Sequence, residues 1–463
     1  MANLITGDII PLNRTEHAYV AVDGFAGTMM VVTALRLSQP ITLQQVRKAA
    51  RELMTAYPKM RSIVQPGLWR YHLRVMDDTP LLDQLAEANC VQDFGIDIDD
   101  PKAFEAWQGR ALNDAVPLEH GPMFCFRFVD HPTNPGLLMG MHHLIADGTT
   151  HAYLVHNVLR SLNGLPMDSL PIEAPSMIGA IKPEKWWQWP AQILKSRAHK
   201  VAEAKRIKEV NIVQLPTQLG QHYTYTGARH YEVSMDTSEL RKATKKAGIS
   251  INTLVVAAHA EALLADQAHD PKAAAVLRVS VDLRKFYPKE EKHGFLWGNQ
   301  VGAYLIIEQG SKKSAIQRVR DVDASLKEGL ARYTRREMAW TYLLDELTPF
   351  LGRTLIGSIA WAMKRKNSFP KISVHVTTGG NVTLLNVPGQ PVHLTRVYVM
   401  VNSISPLTAT VESNGKLYMP MIWQVAETSY DEIGAFQERV EAALVKIARE
   451  IIADESITPP PKG

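Results

Sequence analysis

Apolar and polar positions change period several times along this chain, and each change marks an element. Met29 to Leu37 is rich in Val, Met and Leu and predicts a strand, broken by Ser38-Gln39-Pro40. Thr42 then caps a helix from about Leu43 to Ala56, with Val46, Ala49, Ala50, Leu53 and Met54 on one face. Arg61 to Val75 reads as hairpin strands around Pro66-Gly67, and Lys102 to Ala115 as a helix. Phe124, Phe126 and Phe128 alternate with Cys125, Arg127 and Val129, the period of a strand. A turn holding Pro132 and Pro135 leads into a second apolar strand from Leu137. The helix after Gly148 turns Leu154, Val155, Val158, Leu159 and Leu162 inward and stops at Asn163-Gly164.

A change of character follows. Met167 to Pro183 is rich in Pro and Ser and reads as a connection between two halves. The second half starts near Gln221. Strands are predicted at His230–Met235, Ala275–Leu283, Val301–Ile307, Ile372–Thr378 (ending at Gly379-Gly380), Leu394–Val401, Leu407–Glu412 and Leu417–Val425, the last two joined by an Asn414-Gly415 turn. Helices are predicted from Asp236 to Ala247, from Ser250 to Leu264, from Ser314 to Tyr333 and from Tyr430 to Ala453, before a Pro459-Pro460-Pro461 tail. The pattern divides the chain into residues 1–175, a basic Trp-rich segment over 176–220, and residues 221–463.

The stretch that carries chemistry is Met141-His142-His143-Leu144-Ile145-Ala146-Asp147-Gly148. Successive side chains of a strand point to opposite faces, so His142 and His143 look in opposite directions. One can face a cavity while the other packs into structure. Asp147 sits at the turn into the helix, and Gly148 has no side chain to obstruct a ligand.

Composition narrows the classes. The 463 residues are too many for one ordinary core and enough for two. With 46% hydrophobic and 21% charged residues there is no case for global disorder. A net charge of +4 and the lack of a recognisable motif give no reason to expect nucleic acid. Two cysteines cannot form a disulfide framework, which fits a reducing, cytoplasmic setting. Neither a signal peptide nor a membrane-spanning run is expected. Lys182 to Glu209 holds Trp186, Trp187 and Trp189 beside eight Lys/Arg and three Glu. Two readings stay open there. It is a solvated linker helix whose tryptophans pack on the protein, or it rests on anionic lipid at the inner face of a membrane.

The His-His-Leu-Ile-Ala-Asp-Gly run resembles the signature of the chloramphenicol-acetyltransferase-like acyltransferases, which include condensation domains, wax ester synthases and polyketide-associated acyltransferases. Ser280-Val281-Asp282-Leu283-Arg284 and Gly298-Asn299-Gln300-Val301-Gly302 resemble stretches of the second half of these families. Thr377-Thr378-Gly379-Gly380, Ser405-Pro406-Leu407 and Ser413-Asn414-Gly415-Lys416-Leu417 match their later part more loosely. The resemblance covers nearly the whole chain. It implies an α/β fold of two similar lobes in a V, each a mixed, mostly antiparallel sheet with flanking helices, and a central channel between them.

It further implies acyl transfer from a thioester to a hydroxyl or amine. The donor would be acyl-CoA or a phosphopantetheinyl thioester, a co-substrate rather than a bound cofactor. The acceptor would be a small molecule or a lipid alcohol or amine. By the same resemblance His143 is the general base, suited by an ordinary imidazole pKa near neutrality, and His142 and Gly148 support the site. Asp147 would form a structural ion pair with Arg284. Thr377, Thr378 and Asn402 are candidates for stabilising the oxyanion. Alternatives are a free-standing condensation enzyme fed by a carrier protein in trans, and a catalytically inactive binding module of the same fold. A metal site would need both histidines to converge, which strand geometry opposes. A serine hydrolase would show Gly-x-Ser-x-Gly, which the sequence lacks. His151, His156 and His293 have no comparable context.

Overall fold

The computed structural model describes residues 8–25, 27–66, 70–168, 177–215, 225–288, 296–310, 312–338, 348–366 and 371–457. Gly67, the start expected near Gln221, His293, the Pro459–Pro461 tail and residues 169–176 of the connection lie outside them.

The first sheet is built around Gly136–His142, which pairs antiparallel with Met30–Leu37 on one side and Phe124–Val129 on the other. Cys90–Gln92 adds a parallel edge to Phe124–Val129. Every residue of Gly136–His142 is buried, which is why its sequence is almost continuously apolar: a strand covered on both faces has no polar side to show. Gly140 sits at a close approach, where a Cβ would stand 3.0 Å from the Cys125 carbonyl oxygen. Helix Leu43–Ala56 has its boundaries and buried face as expected, with a Thr42/Gln45 capping box at its start. It packs against helix Gly148–Leu162. Ile9–Pro11, Tyr71–Val75 and Ser62–Pro66 form a small separate sheet.

The second sheet runs in the order 301–309, 273–282, 374–381, 407–413, 421–424, 226–229. It mixes parallel pairs at its centre with antiparallel pairs at its margins. Helix Tyr430–Ala453 lies on helices Thr237–Ala247 and Ile251–Leu264. The mixed α/β class with flanking helices is as the resemblance implies. Among the described residues no single helix is long and apolar enough to cross a membrane.

The two halves are not sewn together only by the connection. Leu394–Val401, late in the sequence, is the edge strand of the first sheet, pairing antiparallel with Met30–Leu37 from Leu394↔Leu37 to Val401↔Val31. Val397, Tyr398 and Met400 bury themselves in the first core. The chain's linear division is therefore not the division of its sheets.

Several expected elements differ. His230–Met235 is not a strand apart from one bridge, Glu232 to Tyr418. The strand lies earlier, at Thr226–Arg229. Carboxylates intercept two of the later N–H groups, His230 donating to Glu105 (2.7 Å) and Ser234 to Glu441 (2.6 Å), while Val233 donates to the Leu417 carbonyl (2.9 Å) beside the bridge. Leu417–Val425 is split into Lys416–Tyr418 and Met421–Gln424, because Pro420 has no N–H to continue a ladder. Strand Val374–Asn381 passes through Gly379-Gly380 by an irregularity between Thr378 and Gly380, where Gly380 takes φ +72°. Helices Arg14–Val22, Leu81–Ala88 and Gly352–Arg365 were not anticipated by the pattern.

Candidate active site

The adjacent histidines diverge as alternation requires. His142 is fully buried. Its Nδ1 accepts the Leu144 N–H (3.2 Å), so the proton sits on Nε2 and is donated to Asp23 (3.2 Å). His143 is the first residue beyond the strand, and its backbone N–H bonds to the Met29 carbonyl (2.8 Å). Met29 holds φ +46°, a left-handed value that a methionine seldom adopts. The backbone strain thus sits at the residue whose carbonyl pins His143.

His143 is half-buried, between the fully buried His142 and Leu144. Its Nδ1 lies 2.8 Å from the Ala146 carbonyl oxygen. A carbonyl can only accept, so Nδ1 carries the proton and Nε2 keeps its lone pair in the neutral ring. The Asn299 side-chain nitrogen stands 3.3 Å from Nδ1 but is itself a donor, and its hydrogen bond goes to the His143 carbonyl (2.9 Å). Tyr19 covers the ring at a centroid distance of 4.4 Å. Burial lowers the His143 pKa below its ordinary value, outweighing the Ala146 carbonyl and the Asp147 charge, so the ring is held neutral.

Asp147 is the N-cap of helix Gly148–Leu162, accepting the Thr150 N–H at 2.9 Å. Its other oxygen accepts the Gln300 N–H (2.8 Å) and Arg284 Nη1 (2.8 Å), and Arg284 Nη2 reaches the first oxygen at 3.2 Å. Both side chains are buried. Burial alone would raise the carboxyl pKa. The Arg284 charge and these donors overrule it and hold Asp147 below the usual carboxylate range. Arg284 also binds Asp282 (3.0 Å), Thr150 Oγ1 (2.8 Å), and the Gly298 and Leu296 carbonyls. One guanidinium ties the histidine turn to two remote segments.

Other predicted residues are placed as follows. Gly148 is exposed, and a Cβ there would meet nothing within 4 Å. Thr378 donates to Asn252 (2.7 Å) and Asn402 to Thr226 (2.8 Å). Thr377 lies on strand Val374–Asn381 and is partly exposed.

Sequence reasoning missed the support beneath Asn299. The buried Glu16–Lys59 ion pair (2.7 Å) lies there. Glu16 also accepts the Asn299 N–H (3.1 Å), while the Asn13 side chain donates to the Asn299 carbonyl (2.8 Å). The Asn13-x-x-Glu16 spacing is that of a capping box, which could have revealed the helix start but not its distant partner. Two further histidines lie within electrostatic range of His143. His151 is buried on the following helix, and His375 meets the Ser280 hydroxyl at 2.8 Å. Burial pushes the pKa of each down to about 3. His156 binds the Leu385 carbonyl (2.7 Å). No cluster of three or more His, Cys, Asp or Glu suited to a metal ion occurs among the described residues.

No family model matches the sequence, and no curated protein matches it. Solved structures do match in fold. The first condensation domain of the calcium-dependent antibiotic synthetase, in complex with a substrate analogue, superposes with a TM-score of 0.70 at 14% identity, covering 96% of this chain and 98% of that one. The trichothecene 15-O-acetyltransferase of Fusarium sporotrichioides gives 0.65 at 13% identity over 95% of each chain. The starter condensation domain of rhizomide synthetase, a mutant bound to C8-CoA and Leu-SNAC, gives 0.64 at 13% identity over 97% of this chain and 96% of that one. The chain has the fold of these condensation and acetyltransferase domains.

Proposed function

We propose that the chain is an acyltransferase that moves an acyl group from a thioester to a hydroxyl or amine, with His143 as general base. The observation that carries this reading is the locked tautomer of His143: Nδ1–H is held by the Ala146 carbonyl at 2.8 Å on a half-buried residue. Such a ring offers a basic Nε2 at neutral pH without needing a carboxylate relay. The shared fold and the acyl thioester ligands of the rhizomide synthetase domain support it.

In the proposed step Nε2 takes the proton of the acceptor O–H or N–H as the acceptor oxygen or nitrogen attacks the thioester carbonyl. The tetrahedral intermediate collapses with loss of the C–S bond, and the Nε2 proton passes to the departing thiolate. The products are ester or amide and free thiol. Asp147 takes no part in proton transfer in this scheme, because its oxygens are committed to Arg284, Thr150 and Gln300. It fixes the turn that presents His143. Of the candidate oxyanion donors, the Thr378 hydroxyl is committed to Asn252 and the buried Asn402 amide donates to Thr226, which leaves Thr377 as the first to test.

The test is thiol release from a panel of acyl-CoA and acyl-carrier thioesters with alcohols and amines. The parent is expected to transfer and His143→Ala to lose transfer with an unchanged circular dichroism spectrum. A fully active His143→Ala variant overturns the mechanism. Turnover with carrier-bound donors alone assigns the enzyme to carrier-fed condensation, and a parent silent on every pair supports the inactive-module alternative.

A further inference from the structure

The segment Lys182 to Glu209 left two readings open, and the side chains now discriminate between them. Helix Trp189–Glu209 buries only Ser196. Its inner side is anchored by a His199–Glu337 contact (3.2 Å) and an Arg206 bond to the Ile307 carbonyl (2.9 Å). Trp189 packs against the second core. Trp186 and Trp187 do not pack inward: they are 78% and 58% exposed. Along the outer side Trp187, Ala191, Leu194, Ala198 and Val201 are all exposed, Leu194 at 64% and Val201 at 62%. Their spacing alternates four and three residues, so they form one continuous apolar stripe along the helix. Scattered surface apolar residues need no explanation, but a stripe ending in two exposed tryptophans does.

Charge selects what covers it. The segment holds eight Lys/Arg against three Glu, a net +5, whereas the whole chain carries +4. The basic excess of the protein is concentrated here. Lys195 and Arg197 flank Leu194, Lys205 and Lys208 extend the outer side beyond Val201, and Lys185 lies over the Trp187 ring (5.2 Å). Two such helices brought together would oppose like charges, which disfavours a second copy as occupant. Tryptophan beside lysine on an apolar stripe is the chemistry of a membrane interface, where the indole sits at headgroup depth and the ammonium groups meet phosphate.

We propose that Trp186, Trp187, Leu194 and Val201 seat this protein on an anionic phospholipid surface, with the helix lying in the plane of the headgroups. The inference is independent of the acyl-transfer reading. It is tested by floating the full-length protein with phosphatidylcholine vesicles, with or without phosphatidylglycerol, at low and high salt. The expected result is flotation with the anionic vesicles at low salt, release at high salt, and none with neutral vesicles. The variant Trp187→Ser/Leu194→Ser/Val201→Ser changes only exposed positions. Its expected flotation is at least tenfold weaker at an unchanged melting temperature, and Lys195→Gln/Arg197→Gln/Lys208→Gln should flatten the salt dependence. No flotation of the parent, or equal flotation of the serine variant, overturns the proposal. A dimer in sedimentation that the serine variant abolishes, without vesicle binding, would instead give the stripe to a second copy and overturn it too.

Discussion

Arg284→Met is the sharpest perturbation of the site, because it removes one guanidinium and leaves its partner in place. Arg284 donates to both Asp147 oxygens, to Asp282, to Thr150 Oγ1 and to two carbonyls. The methionine fills similar volume and supplies none of these. Breaking a buried ion pair by deleting one partner costs about 3–5 kcal/mol, mostly the stranded charge. Here Asp147 keeps the Thr150 and Gln300 N–H groups, so the expected loss is about 3 kcal/mol at neutral pH. The pH dependence identifies the cause. In the parent the folded-state Asp147 pKa is depressed, so its contribution is full above the unfolded value and is lost as pH falls through the folded one. In the variant burial no longer has Arg284 to oppose it, and the pKa rises above the unfolded value. Protonation then relieves the stranded charge, and the gap between variant and parent should narrow on acidification. Urea unfolding followed by tryptophan fluorescence at pH 7 and pH 5 measures both quantities. A variant within about 1 kcal/mol of the parent at pH 7, or a gap that widens toward pH 5, would refute the reasoning. Adding Asp147→Asn to Arg284→Met should cost less than the two single losses together, since the pair is coupled.

Other outcomes follow from the same geometry. Burial holds the His143 pKa below its ordinary value, so the acid limb of kcat/KM should fall below about pH 6.5; an inflection above pH 7 would contradict the neutral-ring assignment. Asn299→Ala removes the amide that grips the His143 carbonyl and, on the proposed mechanism, should lower kcat roughly tenfold to a hundredfold, with KM little changed; steady-state kinetics showing an unaltered kcat would remove Asn299 from the positioning of the proposed base. Lys59→Met strands Glu16 in a fully buried position and should cost about 3 kcal/mol of stability; a melting temperature equal to that of the parent would show that Glu16 finds its support elsewhere. His142→Ala should lower stability by about 1–3 kcal/mol through the unpaired Leu144 N–H, which urea unfolding would detect.

Much of the fold was legible because its signals are local. The buried face of Leu43–Ala56 follows from a period of 3.6, and its start from Thr42. The opposed directions of His142 and His143 follow from a period of two. Asp147 as an N-cap is written in its position before the helix it begins. Beyond the three helices whose pattern gave no signal, the failure at His230–Met235 was a local signal overruled from a distance. His230–Met235 has strand composition, yet Glu105 and Glu441 take the His230 and Ser234 N–H groups, while the Val233 N–H keeps a backbone partner, the Leu417 carbonyl.

What the sequence alone determined is therefore most of the strands and helices, the opposed directions of His142 and His143, and the placement of Asp147 at the turn that follows them. The resemblance of Asp282-Leu283-Arg284 pointed to the cation for that carboxylate. Tertiary structure decided the rest. It placed Leu394–Val401 in the first sheet, a pairing between residues more than 350 positions apart. It also set Asn299 between His143 and Glu16. It turned Trp186 and Trp187 outward when composition allowed either direction. Periodicity reports which side of an element is apolar, but partners far apart in sequence meet only when whole sheets pack, and no local pattern encodes that meeting.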